Sequence, residues 1–569
     1  MSARHPADQL TLRVLSALLR EDVLGLRSGA VLEQRPDGPW LRSGELALPV
    51  RPEGFQCEYA ARLPLLAVRG AELRGLGPIL TELAAAADPP DRLGHLAFAE
   101  ECRQTLATME LHAAVRAGVH ELLAETYGPD PAYWTGPTAS LAFDTLAAYL
   151  DHPVYPTARG RSGLTEEQLR RYAPEFHPVF ALRWLAVPAG ETDTQRFDPL
   201  PEWWPSAAQL GVDGPYLAIP VHPLTVDQLP DLPGAVLSET PYLEVVPTLS
   251  MRTVAVLRDP SVHLKLPLAT STLGQRNRRT IKPGTLTDGA AGESLLRAVL
   301  EREPRFAERI LHADEQSYAQ AAGEELLAVL IRRQPALPDD ALTVPLAALL
   351  AEAPGGRLVV DHLADRFHGG SPLEFYRDLL ELLIDWQTTL FGYGIALESH
   401  QQNTSLVLDE HAGRTRLRLL LKDNDGPRVN RTRLGELADH RRRFDDARIL
   451  GDDDRPLTDL FTTITGHLCT ASLAFGLAEH GRAPLRTTLG LLRAALATAV
   501  DRLGPAGAPL RAALLEADRL PVKAMVTAGT LLSKDRSGAA DINKHYTDGP
   551  NYLLVRNSSL APQSTAERP

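Results

Sequence analysis

The chain has 569 residues, with 59 Lys and Arg against 72 Asp and Glu, a net charge of −13, and 44% hydrophobic and 23% charged residues. These are the proportions of a folded globular chain, and the length suits about three lobes with sizeable cores. They exclude a small disulfide-stapled scaffold and wholesale disorder, and the acidic balance argues against broad binding to a nucleic-acid backbone.

The three cysteines, Cys57, Cys102 and Cys469, are far apart and form no CxxC pair. That usage predicts a reducing compartment, the cytoplasm, and no cysteine-based metal site. The opening MSARHPADQL has no apolar signal core, and no uninterrupted apolar run nears the roughly 20 residues of a membrane helix. Neither export nor a membrane span is expected.

In chain order, Asp8 is a candidate N-cap, and Leu10, Val14, Ala17 and Leu18 then share one helical face up to Arg20. The stretch from Gly70 to Tyr127 is rich in Ala, Leu and Glu at helical spacing, so residues 1–135 read as a helical N-terminal lobe. The breaker cluster PDPAYWTGP, 129–137, closes it. Residues 136–355 read as a strand-rich lobe, with short apolar runs at 216–221, 242–246 and 262–268. A second helical stretch is predicted over about 289–352, leaving through APGGR at 353–357.

Residues 356–557 read as a C-terminal lobe that opens on Ser371-Pro372-Leu373-Glu374, an N-cap serine with proline at the first helical position and glutamate where a capping box wants it. Phe375, Leu379, Leu382, Trp386 and Leu390 mark the buried face, and Gly392 and Gly394 end the helix. A β-hairpin follows, SLVLD at 405–409 and RTRLRLLLKD at 414–423, with Asp423 closing a row that alternates through Thr415, Leu417, Leu419 and Leu421. The charge-dense stretch 441–455 reads as a surface loop and residues 558–569 as a disordered tail. The fold class expected is α/β (α+β).

Two constellations carry chemistry. Glu398, His400, Gln402 and Asn403 precede Lys422-Asp423-Asn424-Asp425-Gly426 by some twenty residues. Strand ends that deliver these side chains can hold a phosphate beside a hard cation, with Asp423 as carboxylate ligand to Mg²⁺. The bland alternative is a polar strand edge with a tight turn. Upstream, Arg252, Lys265, Arg276, Arg278, Arg279 and Lys282 gather within 31 residues of an acidic chain. Such a clamp neutralises phosphoryl charge; a solvated basic loop is the alternative for Arg278, Arg279 and Lys282. No GxxxxGK[ST], GxGxxG after a strand, HExxH or GxSxG is present. His120, His177, His440 and His467 lack ligand spacing and read as structural or surface residues.

In this order the motifs resemble the siderophore synthetases that work independently of nonribosomal peptide synthetases, the family typified by the aerobactin synthetases. His152-Pro153-Val154-Tyr155-Pro156 through Arg159, Arg161 and Gly163 is similar to its HPxHPxxKxRxG, and Tyr172-Ala173-Pro174-Glu175-Phe176 to its YxPEF. Pro220-Val221-His222-Pro223 is similar to its PxHPWQ; Glu398, His400, Gln402 and Asn403 match ExHxQN, and Asp423 with Gly426 its RDxxG. Tyr155 and Arg159 replace a histidine and a lysine of the pattern, and Leu224-Thr225 replace Trp-Gln.

The resemblance implies a three-lobed cupped hand, a homodimer, and an ATP-dependent ligase that adenylates a polycarboxylate such as citrate and transfers it to an amine or hydroxyl. It implies ATP contacts at Ser250, Arg252, Thr253, Lys265, Thr272, Arg276, His400, Gln402 and Asn403, with His400, Arg252 and Lys265 catalytic. Mg²⁺ would fall to Asp423 and Glu398, and substrate carboxylate to His152, Arg159 and Lys523. The nucleophile would be a polyamine, amino alcohol or amino acid. Competing readings are a kinase-like phosphotransferase, which lacks its catalytic aspartate between His400 and Asn403, and a non-catalytic protein binding an anionic ligand.

Overall fold

The computed structural model describes residues 5–197, 199–537 and 545–554, so the tail 558–569 lies outside the described residues. The first helix spans Pro6–Arg20, and its N-cap is His5, whose ring nitrogen accepts from the Ala7 amide. Asp8 instead sits in the first turn, where its charge favours the helix dipole. Leu10, Val14, Ala17 and Leu18 are buried as the periodicity requires.

Helices Leu76–Ala86 and Arg92–Tyr127 follow, but a six-stranded antiparallel sheet occupies 31–74 in front of them. Its first two hairpins turn at Pro36-Asp37 and Gly44-Glu45, two-residue loops of the kind that join paired strands.

The middle of the chain builds a nine-stranded sheet, and the runs at 216–221, 242–246 and 262–268 become Tyr216–Val221, Tyr242–Pro247 and Asp259–Lys265. The helix predicted over 289–352 stops early. Helix Thr285–Arg302 is followed by strands Ile310–His312, Asp314–Ala321, Ala328–Arg333 and Leu342–Pro345. Each of these pairs with a strand distant in sequence, and that pairing overrides the helical preference of their Ala, Leu and Glu.

In the last part, Ser371 caps helix Pro372–Gly392 through its hydroxyl, which accepts from the Glu374 amide at 3.2 Å. The box is half made, because the Glu374 carboxylate turns to Arg377. The hairpin pairs Thr404–His411 with Arg414–Leu421. Helix Arg455–Glu479 is long and apolar enough to cross a membrane, and most of it is buried within this fold.

One crossing positions the site. Ile310–His312 runs parallel to Arg414–Leu421 in a four-stranded sheet, and after Ala313 the chain enters the nine-stranded sheet as Asp314–Ala321. The two sheets are thereby joined through one extended segment, which brings the ends of Asp259–Lys265 and Arg414–Leu421 together.

Candidate functional site

The meeting point carries an ion cluster. Lys265, on a central strand and 2% exposed, donates through Nζ to Asp423 Oδ1, and at 2.8 Å to Asp425 Oδ2. Arg332, on the neighbouring strand, donates to Asp423 Oδ1 at 3.1 Å and to Glu315 at 2.6 Å. Glu315 also accepts from the Asp423 amide at 2.7 Å. Burial alone would raise the Asp423 carboxyl, but Lys265, Arg332 and Arg252 hold it well below the usual carboxylate range. Asp423 therefore stays ionised at the foot of a cavity of about 410 Å³.

That cavity collects most of the residues the sequence singled out. Ser250, Arg252 and Thr272 reach it from the middle of the chain, and Glu398, His400, Gln402, Asn403 and Asp423 from the hairpin region. His152, Arg159 and Lys523 complete it. Its volume suits a small-molecule site. Lys523 is only 4% exposed and points inward, with Nζ 3.4 Å from Glu398 Oε1.

Local geometry aims each group. Ser250 Oγ accepts from the Thr253 amide at 3.1 Å, and the turn between them holds Met251 at φ 63°. Arg252 is steered by the carbonyls of Arg279 and Thr280, at 3.3 and 3.1 Å. His152 Nδ1 accepts from the Val154 and Tyr155 amides, and His400 Nδ1 from the Gln402 amide. With Nδ1 used as acceptor, each neutral ring carries its proton on Nε2 and offers a donor. Burial, helped by the nearby His400 ring and cations, lowers His152 to about 3; burial also lowers His400, against Glu398 and Asp423.

Three expected contacts lie elsewhere. Thr253 and Lys265 are paired across neighbouring strands beneath the cavity wall, where Lys265 acts on it through Asp423 and Asp425. Arg276 turns away from the cavity and donates to Ala528 O at 2.8 Å. Arg278 and Lys282 are exposed. Arg279 is the cation of that run that lines the cavity, together with Arg161 and Asp425. No ion pair of Arg279 occurs among the described residues, and burial first, then Arg252 and Arg161, lowers it to about 9. A guanidinium held among other cations is a ready anion site. Nothing in a non-periodic loop says which of three neighbouring arginines turns inward; the one local signal is Gly274, at φ 108°, which bends the loop there.

Among the described residues no three His, Cys, Asp or Glu converge as a metal cage. Asp423, with Glu398 across the same cavity, fits a hard dication that uses one or two protein carboxylates and fills its shell with phosphate oxygens and water.

Residues 140–351 match the model of the IucA / IucC family. That stretch is a little over a third of the chain. Residues 374–537 also match the model described as Ferric iron reductase FhuF-like transporter. Among known proteins, staphyloferrin A synthase of Staphylococcus aureus is 27% identical over 309 residues, 49% of this chain and 51% of that protein. The chain thus spans about half the length of that relative. The L-2,3-diaminopropanoate–citrate ligase of the same organism is 30% identical over 136 residues, 21% of this chain and 23% of its own. The fold is that of ATP-bound aerobactin synthetase IucA of Klebsiella pneumoniae, with a TM-score of 0.67 at 17% identity, covering 96% of this chain and all of that one. The matched stretch 140–351 contains His152, Arg159, Arg161, Ser250, Arg252, Thr272 and Arg279, so one wall of the cavity lies wholly inside it.

Proposed function

We propose that this chain is an ATP-dependent ligase of siderophore biosynthesis, which adenylates a polycarboxylate, citrate by preference, and condenses it with an amine or hydroxyl. The observation that carries this reading is the presence, in one cavity, of an ionised Asp423 and of Arg279 beside Arg252, with no ion pair of Arg279 among the described residues. Bringing a carboxylate against a triphosphate requires that concentration of positive charge. The names of the staphyloferrin, citrate-ligase and ATP-bound aerobactin proteins support it.

In the first step a substrate carboxylate oxygen attacks the α-phosphorus of ATP and pyrophosphate leaves. In the second, the nucleophile attacks the acyl carbon, AMP leaves, and the nucleophile gives up one proton. Arg252 and Arg279 would neutralise the phosphates, and Ser250, Thr272, Gln402 and Asn403 would orient the nucleotide. His152, Arg159 and Lys523 would fix the carboxylates. His400, neutral with its proton on Nε2, would donate to an oxygen gaining charge rather than serve as a base. Mg²⁺, bound through Asp423 and Glu398, would supply phosphate charge neutralisation when present. The assembly we assign is a cytoplasmic homodimer.

The test is product analysis with ATP, Mg²⁺, hydroxylamine and citrate, 2-oxoglutarate or a succinylated amine in parallel. AMP and pyrophosphate formed with one carboxylate are the expected result. ADP would instead identify a phosphotransferase, and no turnover with any carboxylate would leave an anion-binding protein.

A further inference from the structure

The N-terminal helix Pro6–Arg20 lies outside the stretch matched by the family, yet it grips both sides of the carboxylate end of the cavity. Arg13 donates to His152 O at 2.9 Å and to Tyr155 O at 3.4 Å, and pairs with Asp151 Oδ2 at 3.2 Å. Asp151 Oδ1 in turn holds Arg159 at 2.8 Å. Two helical turns on, Arg20 donates to Val154 O. No backbone amide among the described residues reaches these three carbonyls, so the two arginines supply the donors that an irregular, buried loop requires. Glu21, the next residue, faces the other wall. Its carboxylate accepts from the Val526 amide at 3.0 Å and from the Thr527 amide and hydroxyl, both at 2.8 Å. Those are the opening amides of the turn that follows Lys523 and Met525, which line the cavity.

We infer that Arg13, Arg20 and Glu21 are positioning residues, which set the separation between the His152–Arg159 wall and the Lys523 wall and so fix the fit of the substrate carboxylates. The inference rests on the reading above that these walls face the carboxylate. The nucleotide groups Ser250, Arg252 and Asp423 receive no contact from this helix among the described residues, so carboxylate and nucleotide binding separate.

The test uses the full chain carrying Arg13→Lys, Arg13→Ala or Glu21→Gln, with AMP release followed against each substrate and Tm measured alongside. The carboxylate KM is expected to rise roughly tenfold or more in each, since a misplacement of about 1 Å costs up to about a hundredfold. The ATP KM should stay within about threefold, and Arg13→Lys, which keeps the charge beside Asp151, should lose less than Arg13→Ala. A parallel rise in both KM values, or a fall in activity that only follows the folded fraction, overturns the inference. If the unaltered chain releases no AMP with any carboxylate, the functional reading fails, and amide hydrogen exchange decides the positioning alone. Faster exchange in Glu21→Gln at Val526 and Thr527, with 250–253 and 400–403 unchanged, upholds it; uniform or unchanged exchange refutes it.

Discussion

Asp423 sits at φ 63°, in the left-handed region that aspartate tolerates better than most residues, and there it meets Lys265 and Arg332 through one oxygen. Asp423→Asn keeps the volume and the backbone tolerance while removing the charge. AMP release is expected to fall by at least about a hundredfold. Tm should fall by only a few degrees, because Asp425 still meets Lys265 and Glu315 still meets Arg332. Arg279 and Arg276 give a second comparison. Arg279→Ala should raise the ATP KM about tenfold or more with Tm nearly unchanged, whereas Arg276→Ala, which frees Ala528 O, should lower Tm and move both substrates' KM values together. Steady-state kinetics beside thermal denaturation checks both. The identity of the inward arginine was not legible in sequence, because Arg276, Arg278 and Arg279 share one irregular loop.

Elements were legible where their signals are local. Ser371 and Pro372 announce the helix they begin, and Ser371→Ala should cost about 1 kcal/mol in denaturant unfolding without changing AMP release. The hairpin was equally plain, and its turn, Ala412-Gly413, holds both residues at positive φ, 51° and 73°. Ala412→Gly removes a Cβ from a conformation that disfavours it and should raise stability by about 0.5 to 1 kcal/mol. The sheet at 31–74 departs from the helical expectation for residues 1–135; its local signals, Pro36-Asp37 and Gly44-Glu45 between alternating runs, are short beside the long Ala-, Leu- and Glu-rich helices that follow. The strands between 310 and 345 carried no such punctuation. Their state is decided by partners such as Arg414–Leu421 and Thr404–His411, about a hundred residues or fewer downstream.

At the scale of the molecule, the site was legible as two groups of residues but not as one place. Lys265 and Asp423 are 158 residues apart, and only the strand crossing at Ala313 brings them into contact. Burial also leaves a signature in acid. His112, His152, His177, His222, His263, His312 and His467 are all lowered by burial, to about 3 or about 4. Below pH about 6.5 the unfolded chain binds protons that the folded chain refuses, at about 1.4 kcal/mol per pH unit for each histidine. Stability should therefore be full above pH 7 and fall steeply as pH drops from 6.5 toward 4. The buried carboxylates Glu21, Glu101 and Asp144, raised by burial, oppose this in part at the acid end. Thermal denaturation across pH 8 to 5 checks it, and a constant Tm over that range would contradict it.

The central claim is that a substrate carboxylate attacks the α-phosphorus of ATP in the cavity above Asp423. Incubating the protein with ATP, Mg²⁺, hydroxylamine and citrate labelled with ¹⁸O in its carboxylates tests it most directly. The account predicts one ¹⁸O atom in the released AMP and none in pyrophosphate; label in inorganic phosphate with ADP as the nucleotide product, or unlabelled AMP, would contradict it.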